Sequence, residues 1–556
     1  MNYKIKFQSN EGLFIEDDHL KLVGRKKRDA SFLKVVVKGF YEKSSNNNLD
    51  FTGSWWFCLL DKSSNKLWLK RDKHSYTSVF YTRIEDTLFV SEDLDYLLKL
   101  KEVKINCRKI ASLMVSFDYD FGRETVFNGI YSLPAGNELI IDNGVSKVSR
   151  YWFPENIAQL KFKRSENYSE KLRDILITSV NQHIGDYTNV ASMLSGGLDS
   201  SSVTCLAAEH LAKKGKILNT FTHFPKYVSG FRNRPNSFGD ESAHAKLVIE
   251  KYNNIKGDFL NSSSITPIAA LKKWVDLTNG IVHGACNVFW MYDLFKTVGD
   301  SKFDLLLTGE NGNGTVSFSG IRAKLPWSHK YYRQNILIGV KDKIYQPSKI
   351  IIKRFLGTSD NGSWNINSNF LNSNVIHDLD LKEAFLFDRV SIGTVLDTPK
   401  NLMNLIIEQA RNGRMPLGGL VSKKFGFEMA DPTGSPELIE YCYSLPNEVF
   451  FGKVGLSRNL IREIMKGILP DSVRLETKKG HQSADIGARL KDTSIEVEEA
   501  LSTLSKNKTF EYLFDINALK NFWEMLKHKD SNSADQVTIN AFLKTIMAGF
   551  LIEKFS

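Results

Sequence analysis

The residues best suited to chemistry lie between 192 and 202, in the run SMLSGGLDSSS. An apolar stretch ending at Leu194 leads into Ser195, Gly196 and Gly197; Leu198 and Asp199 follow, and Ser200 and Ser201 open a helical pattern. Adjacent glycines let a backbone turn sharply and approach a ligand closely. Hydroxyls and free N–H groups at the start of a helix receive an anion. Asp199 would repel a bare phosphate, but a carboxylate there can hold Mg²⁺ that bridges phosphates. The string is neither G-x-x-x-x-G-K-[ST] nor G-x-G-x-x-G, which excludes two common nucleotide loops. An ordinary strand-to-helix turn with an Asp or Ser cap uses the same residues, so composition alone leaves both readings open.

Four further segments carry polar groups at the ends of apolar runs. DLLLTGENGNGTVSFSG (304–320) delivers a Gly-rich polar loop at the carboxyl end of a buried strand, and offers Thr308, Gly309, Glu310 and Asn313; open α/β sheets place ligands there. FGFEMADP offers Glu428, whose carboxylate suits acid–base assistance or orientation. ETKKGHQS offers Lys478, with Lys479 adjacent; a lysine cation stabilises negative charge developed in a transition state. FTH ends a strand with Thr222 and His223, and either can face a ligand or be satisfied internally. Asp240 and Glu241 stand where they can cap a helix. HGACNVFWMYDLF reads as a helix that forms a pocket wall or simply packs; His283 beside Cys286 is no metal site.

The elements that must position these groups fall into two parts. Residues 1 to about 150 read as mostly β, through LKVVVKGFY, GSWWFCLLD, KLWLKRD, SVFYTR, TLFVSED and NELIIDNG, separated by polar turns. Successive strands of this kind predict paired antiparallel sheets. Beyond Trp152 the pattern changes to alternating strands and helices. Strands are expected at Val190–Leu194, Ile217–Phe221 and Phe303–Thr308, and helices at Ser201–Ala212 and Glu241–Tyr252. Crossovers of that size predict a parallel sheet with helices on both faces. DNGSWNINSNFLNSN reads as a loop, and AFLKTIMAGFLIEKF as a helix that packs in the core.

The 556 residues suit two or three domains, and 42% hydrophobic with 25% charged residues describes an ordinary globular chain. The net charge of +11 comes from lysines spread along the sequence rather than an arginine-rich or aromatic–basic module, so no specific nucleic-acid partner is expected. A basic face also attracts nucleotides or acidic substrates. Cys58, Cys107, Cys205, Cys286 and Cys442 have neither metal spacing nor an even count, which fits a reducing, cytoplasmic setting. No secretory core and no membrane span is expected.

SGGLDSS resembles the pyrophosphate-binding loop of the asparagine-synthetase superfamily, and the resemblance extends over nearly the whole chain. RDKHSYTSVFY, FVSEDLDYLL and FNGIYSLPAGNELII look like later segments of the family's glutaminase domain, and RYW stands where that domain hands over. The resemblance implies a glutaminase-like domain over 1–152, an Ntn-hydrolase-like antiparallel sandwich. It implies an ATP-dependent adenylating and amide-forming domain over 153–556, an adenine-nucleotide α-hydrolase-like α/β fold. ATP and Mg²⁺ are the implied cofactors. Leu194, Ser195, Gly196, Gly197, Asp199, Ser200, Ser201, Thr222, Thr308, Gly309 and Glu310 would bind nucleotide, Asp199 and Asn313 would hold the metal, and Lys478 and Glu428 would be catalytic.

The chain also departs from the family pattern. Asn313 replaces a metal-binding Asp, Ala430 an Arg, and Glu476 an Arg. Residue 2 is Asn where active glutaminases of the family carry a cysteine nucleophile, so no glutamine hydrolysis is expected, and Cys58 reads as a core thiol. That loss is shared with β-lactam synthetases and lasso-peptide cyclases. The expected reaction is adenylation of a carboxylate and attack by an amine of the substrate, giving a macrocycle or lactam. An ammonia-dependent asparagine synthetase and a non-catalytic ATP-binding scaffold are the alternatives. The implied partners are a carboxylate-bearing substrate, such as a precursor peptide, and a leader-peptide-handling protein.

Overall fold

The computed structural model describes residues 53–115, 123–162, 166–227, 237–348, 370–381, 398–452, 456–528 and 536–556, with short stretches between 4 and 36. Two sheets fill the N-terminal part. The larger has six antiparallel strands, β2 (Leu13–Glu16), β3 (Leu20–Lys26), β4 (Trp55–Asp61), β5 (Lys66–Arg71), β9 (Asn137–Asp142) and β10 (Val145–Arg150), in the order β10-β9-β5-β4-β3-β2. The smaller has the order β1-β7-β6-β8, from β1 (Lys4–Gln8), β6 (Phe80–Ile84), β7 (Thr87–Ser91) and β8 (Tyr131–Ser132). Its β1–β7 pair is parallel and the rest antiparallel.

β4 shows why the sequence takes this form. Its run WWFCLLD is buried in every residue but the last, as in a strand covered on both faces. Trp56, Cys58 and Leu60 face the core between the sheets, with Ile5, Val79 and Val90. Trp55, Phe57 and Leu59 face the other way, onto Leu20, Leu22, Leu33 and Val36. Cys58 is therefore a core residue, and burial pushes its thiol well above the usual range. Of the strand expected over LKVVVKGFY, Leu33, Lys34 and Val36 are helical, and the other positions lie outside the described residues. Leu33 and Val36, three residues apart, form one helical face that covers β4. Residue 2 lies outside the described residues.

The C-terminal part is built on five parallel strands: β11 (Val190–Met193), β12 (Leu218–His223), β14 (Ile255–Leu260), β15 (Leu305–Leu307) and β16 (Glu428–Ala430). Their order is β14-β12-β11-β15-β16, every pair parallel. Alternate side chains of the strands enter two separate cores. Ala191, Phe221, Leu306 and Met429 face one; Val190, Leu218, Leu305, Leu307 and Ala430 face the other. Helices cover both faces, as the crossover lengths predict. The helices α1 (Glu166–Ile184) and α2 (Leu198–Ala212) pack on the second face. On the first lie α4 (Pro267–Thr278), α5 (Val288–Asp300), α6 (Met415–Lys424) and α7 (Gln536–Lys554). Helix α3 (Ser242–Lys251) connects β12 to β14.

The core on the first face continues into the N-terminal part through Tyr76, Phe80, Leu97, Ile110 and Phe127, so the two halves share apolar packing. The C-terminal run AFLKTIMAGFLIEKF is buried within α7, as expected of a core helix. Most of the DNGSWNINSNFLNSN loop lies outside the described residues, but its end starts a helix, Ser373–Asp378. Among the described residues no helix is long and apolar enough to cross a membrane, and all five cysteines are unpaired.

Candidate active site

From β11 the chain passes outward through α2 and β12 to β14, then returns to β15 and β16 on the other side of β11. Open parallel sheets bind ligands at such a reversal, beyond the carboxyl ends of the strands. The loops leaving β11 and β15 flank it here and line a cavity of about 450 Å³.

The loop after β11 is held by its own hydroxyls. Ser195 Oγ accepts the Gly197 N–H at 3.2 Å, and Ser200 Oγ accepts the Ser195 N–H at 3.0 Å. Gly196 has φ +73°, and a Cβ there would stand 2.7 Å from His244 Cβ and 2.9 Å from the Glu241 carbonyl oxygen. Glycine is required on both counts. Gly197 precedes α2 with no side-chain cap, so the first-turn N–H groups and the helix dipole face the cavity together.

The loop after β15 packs directly on this turn. A Cβ on Gly309 would lie 2.8 Å from the Asp199 carbonyl carbon, and one on Gly312 would lie 2.2 Å from Asp199 Oδ1. Asp199 is thereby enclosed, and its Oδ1 has no hydrogen-bond partner among the described residues. Burial raises its carboxyl above the usual range, with the Ser317 hydroxyl and the Arg458 cation acting in the opposite direction. An orphaned acidic oxygen beside an anion-binding turn fits a cation that arrives with a polyphosphate. It does not form a resident cage: no cluster of three or more His, Cys, Asp or Glu suited to a metal occurs among the described residues.

Asn313 lines the cavity, and its Oδ1 accepts a hydrogen bond from Arg458 Nη2 at 2.7 Å. Arg458 carries φ +58° at the start of the helix Asn459–Ile464. Arg462, one turn on, donates to the carbonyls of Arg474 and Glu476 and braces the segment that leads to Lys478. Lys478 is exposed at the cavity wall, its backbone N–H held 2.7 Å from Glu476 Oε1. Next to it β17 (Lys479–Gly480) pairs with β13 (Ser237–Phe238) and brings this wall against Glu241, which lies beside Gly196.

Leu194, Ser195, Gly196, Gly197, Asp199, Ser200, Thr308, Gly309, Glu310, Asn313 and Lys478 all line this one cavity. Three expected residues do not. Ser201 is fully buried inside α2. Thr222 donates its hydroxyl to the Leu194 carbonyl at 2.7 Å and ties two strand ends together. Glu428 is at the wrong end of its strand. It pairs with Leu305, whereas Ala430 pairs with Leu307 at the carboxyl edge, and two residues of strand span about 7 Å. The Glu428 carboxylate accepts from Tyr187 and borders a separate cavity of about 30 Å³. Glu428→Gln is expected to keep turnover within about threefold of wild type, as for a residue outside the reacting centre; a hundredfold loss would restore it to the site.

Two other groups complete the cavity. On one side stand Trp274, Val282, Trp290, Met291 and Leu294, an apolar wall from α4, α5 and the segment between them. His223 stacks on Trp290 with ring centroids 5.6 Å apart, and burial takes its imidazole down to about 4. On the other side, Glu241 does not cap α3 through its side chain. It lines the cavity, and desolvation, with Asp240 nearby, pushes its carboxyl up to about 8. Below about pH 8 this group is neutral; above it, its negative charge opposes an anionic ligand. Affinity for a polyphosphate such as ATP is therefore expected to fall as pH rises through about 8, and Glu241→Gln to remove that dependence in calorimetric titrations.

Comparison with known proteins gives these loops a context. The sequence pattern of the asparagine synthase family matches residues 171–342 and 421–547, and that of the glutamine amidotransferase domain matches residues 17–152. Asparagine synthetase [glutamine-hydrolyzing] 3 of Bacillus subtilis is 20% identical over 529 residues, 89% of this chain and 79% of that protein. A putative asparagine synthetase [glutamine-hydrolyzing] 2 of Methanocaldococcus jannaschii is 24% identical over 225 residues, 39% of this chain and 41% of that protein. The amidase chry2 of Gibberella zeae is 28% identical over 240 residues, 42% of this chain and 34% of that protein. The chain thus spans less than half the length of two of these relatives and about four-fifths of the other.

Proposed function

Because the chain belongs to the asparagine synthase family, we propose that it is an ATP-dependent amide ligase that releases AMP and pyrophosphate and does not hydrolyse glutamine. The observation that carries this reading is the convergence of an anion-binding turn, an enclosed Asp199, Glu310 and Lys478 on one cavity. The triphosphate lies over Ser195–Ser200. A substrate carboxylate oxygen attacks the α-phosphorus, the bond to the β,γ-pyrophosphate breaks, and an acyl-adenylate forms. An amine then attacks the acyl carbon, Glu310 accepts its proton, and AMP leaves with the carboxylate oxygen. Lys478 and Arg458 offset the negative charge developed in both steps. Mg²⁺ supplies charge neutralisation on the phosphates when bound, and Asp199 is the residue suited to hold it.

Glu310 takes the acid–base role that the sequence suggested for Glu428, since it alone of the two lines the cavity. One feature supports ligation without glutaminase chemistry: the Cys58 thiol is buried in the sheet core. The apolar wall supports a carboxylate carried on an apolar scaffold, such as a peptide with an internal amine, over free aspartate. A peptide macrocycle or lactam is the product this favours. ATP–pyrophosphate exchange with a panel of peptide and small-molecule carboxylates tests the reading. Carboxylate-dependent exchange is expected; ADP production in place of exchange would overturn it.

A further inference from the structure

We infer that the N-terminal domain completes the amide-forming site by supplying Tyr76 as the residue that positions Glu310. The inference rests on the role proposed above for Glu310. Tyr76 lies between β5 and β6, and its side chain enters the core of the C-terminal part. Its hydroxyl is buried 2.9 Å from Glu310 Oε2 and 2.8 Å from Thr308 Oγ1. An ionised carboxylate only accepts, and a phenol has one proton to give. The order is therefore fixed: the Thr308 hydroxyl donates to the Tyr76 oxygen, and Tyr76 donates to Glu310. Burial and the Glu310 charge hold the phenol well above its ordinary range, so it stays a donor.

The segment carrying Tyr76 is locked from both sides. Asp72 Oδ2 accepts the Ser75 hydroxyl at 2.7 Å and the Trp55 N–H at 3.0 Å within the N-terminal part. The Ser78 hydroxyl donates to the Pro416 carbonyl at 3.0 Å, at the start of α6. Further along that helix, a Cβ on Gly419 would stand 2.0 Å from the Tyr76 carbonyl oxygen, so the helix lies directly against the tyrosine backbone. The N-terminal part thus has a structural link to the chemistry proposed for the other half.

The test separates the two half-reactions in the full chain. Tyr76→Phe keeps the ring and removes only the hydroxyl. It is expected to lower amide formation by about tenfold or more, as for disturbed general-base geometry, with ATP–pyrophosphate exchange within about twofold of wild type. Glu310→Gln is expected to lower amide formation at least as far, and the double variant to lose no more than Glu310→Gln alone. Equal loss in both half-reactions, no loss, or additive loss in the double variant would overturn the inference. Full amide formation by Glu310→Gln would instead overturn the role given to Glu310 itself.

Discussion

Lys478→Ala is expected to lower turnover by about 10²–10³-fold while ATP still binds, the range found when one preorganised donor is removed from a developing oxyanion. The expectation follows from how the lysine is held. Its backbone is tied to Glu476, and Glu476 in turn is placed by Arg462 through its carbonyl oxygen. The residue lines the same cavity as the turn at Ser195–Ser200. Lys479 is the neighbour best placed to mask the effect, since it too lines the cavity. Single-turnover measurements on Lys478→Ala and Lys479→Ala separate them. A loss confined to Lys479→Ala would move the charge-stabilising role one residue along.

Gly196→Ala is expected to abolish ATP binding rather than slow a chemical step. Two costs fall on the same atom. An L-residue at φ +73° is strained by about 1–3 kcal/mol. The new methyl would also stand 2.7 Å from His244 Cβ and 2.9 Å from the Glu241 carbonyl, and a backbone oxygen cannot move aside cheaply. The turn must shift, carrying Ser195 and the α2 N-terminus with it. A loss of affinity of about a hundredfold or more is expected by calorimetry, with the melting transition in the absence of nucleotide lowered by only about a few degrees. Unaltered binding would show that the triphosphate does not rest on this turn.

The contrast between these residues and Glu428 shows what the sequence can convey. The turn at 195–200 is a local object: strand, two glycines, hydroxyls and helix start follow one another, so its shape can be read without knowing the fold. Lys478 and the loop after β15 stand out as polar groups at the ends of apolar runs, and both line the same cavity. The placement of Glu428 outside the cavity depends on a register. The three residues of β16 pair with Leu305 to Leu307, and nothing in GFEMADP says which end of that pairing meets the cavity. The partner of Asn313 is hidden in the sequence for a related reason. Arg458 is 145 residues away, and a left-handed arginine at a helix start has no sequence signature. Arg458 and Arg462 stand four residues apart on one helical segment, a spacing visible in the sequence but common on solvated faces.

The larger architecture was legible where periodicity was strong. β4, β5 and β9 are runs of six or seven residues with clear apolar patterning. At Leu33, Lys34 and Val36 the helix replaces an expected strand because a short β-branched run fits a strand and a buried helix equally well. Tyr76 could not have been found in advance. Its role comes from the contact between the two halves, and the local string KHSYTS contains no hint of Glu310 some 230 residues later.

The reaction proposed for the cavity stands or falls on one isotope. With a carboxylate substrate labelled with ¹⁸O, chosen by its support of ATP–pyrophosphate exchange, mass spectrometry of the nucleotide product follows the attacking oxygen. Attack on the α-phosphorus predicts AMP carrying one ¹⁸O atom, unlabelled pyrophosphate and an amide product. Labelled inorganic phosphate beside ADP, or AMP without label, would contradict it.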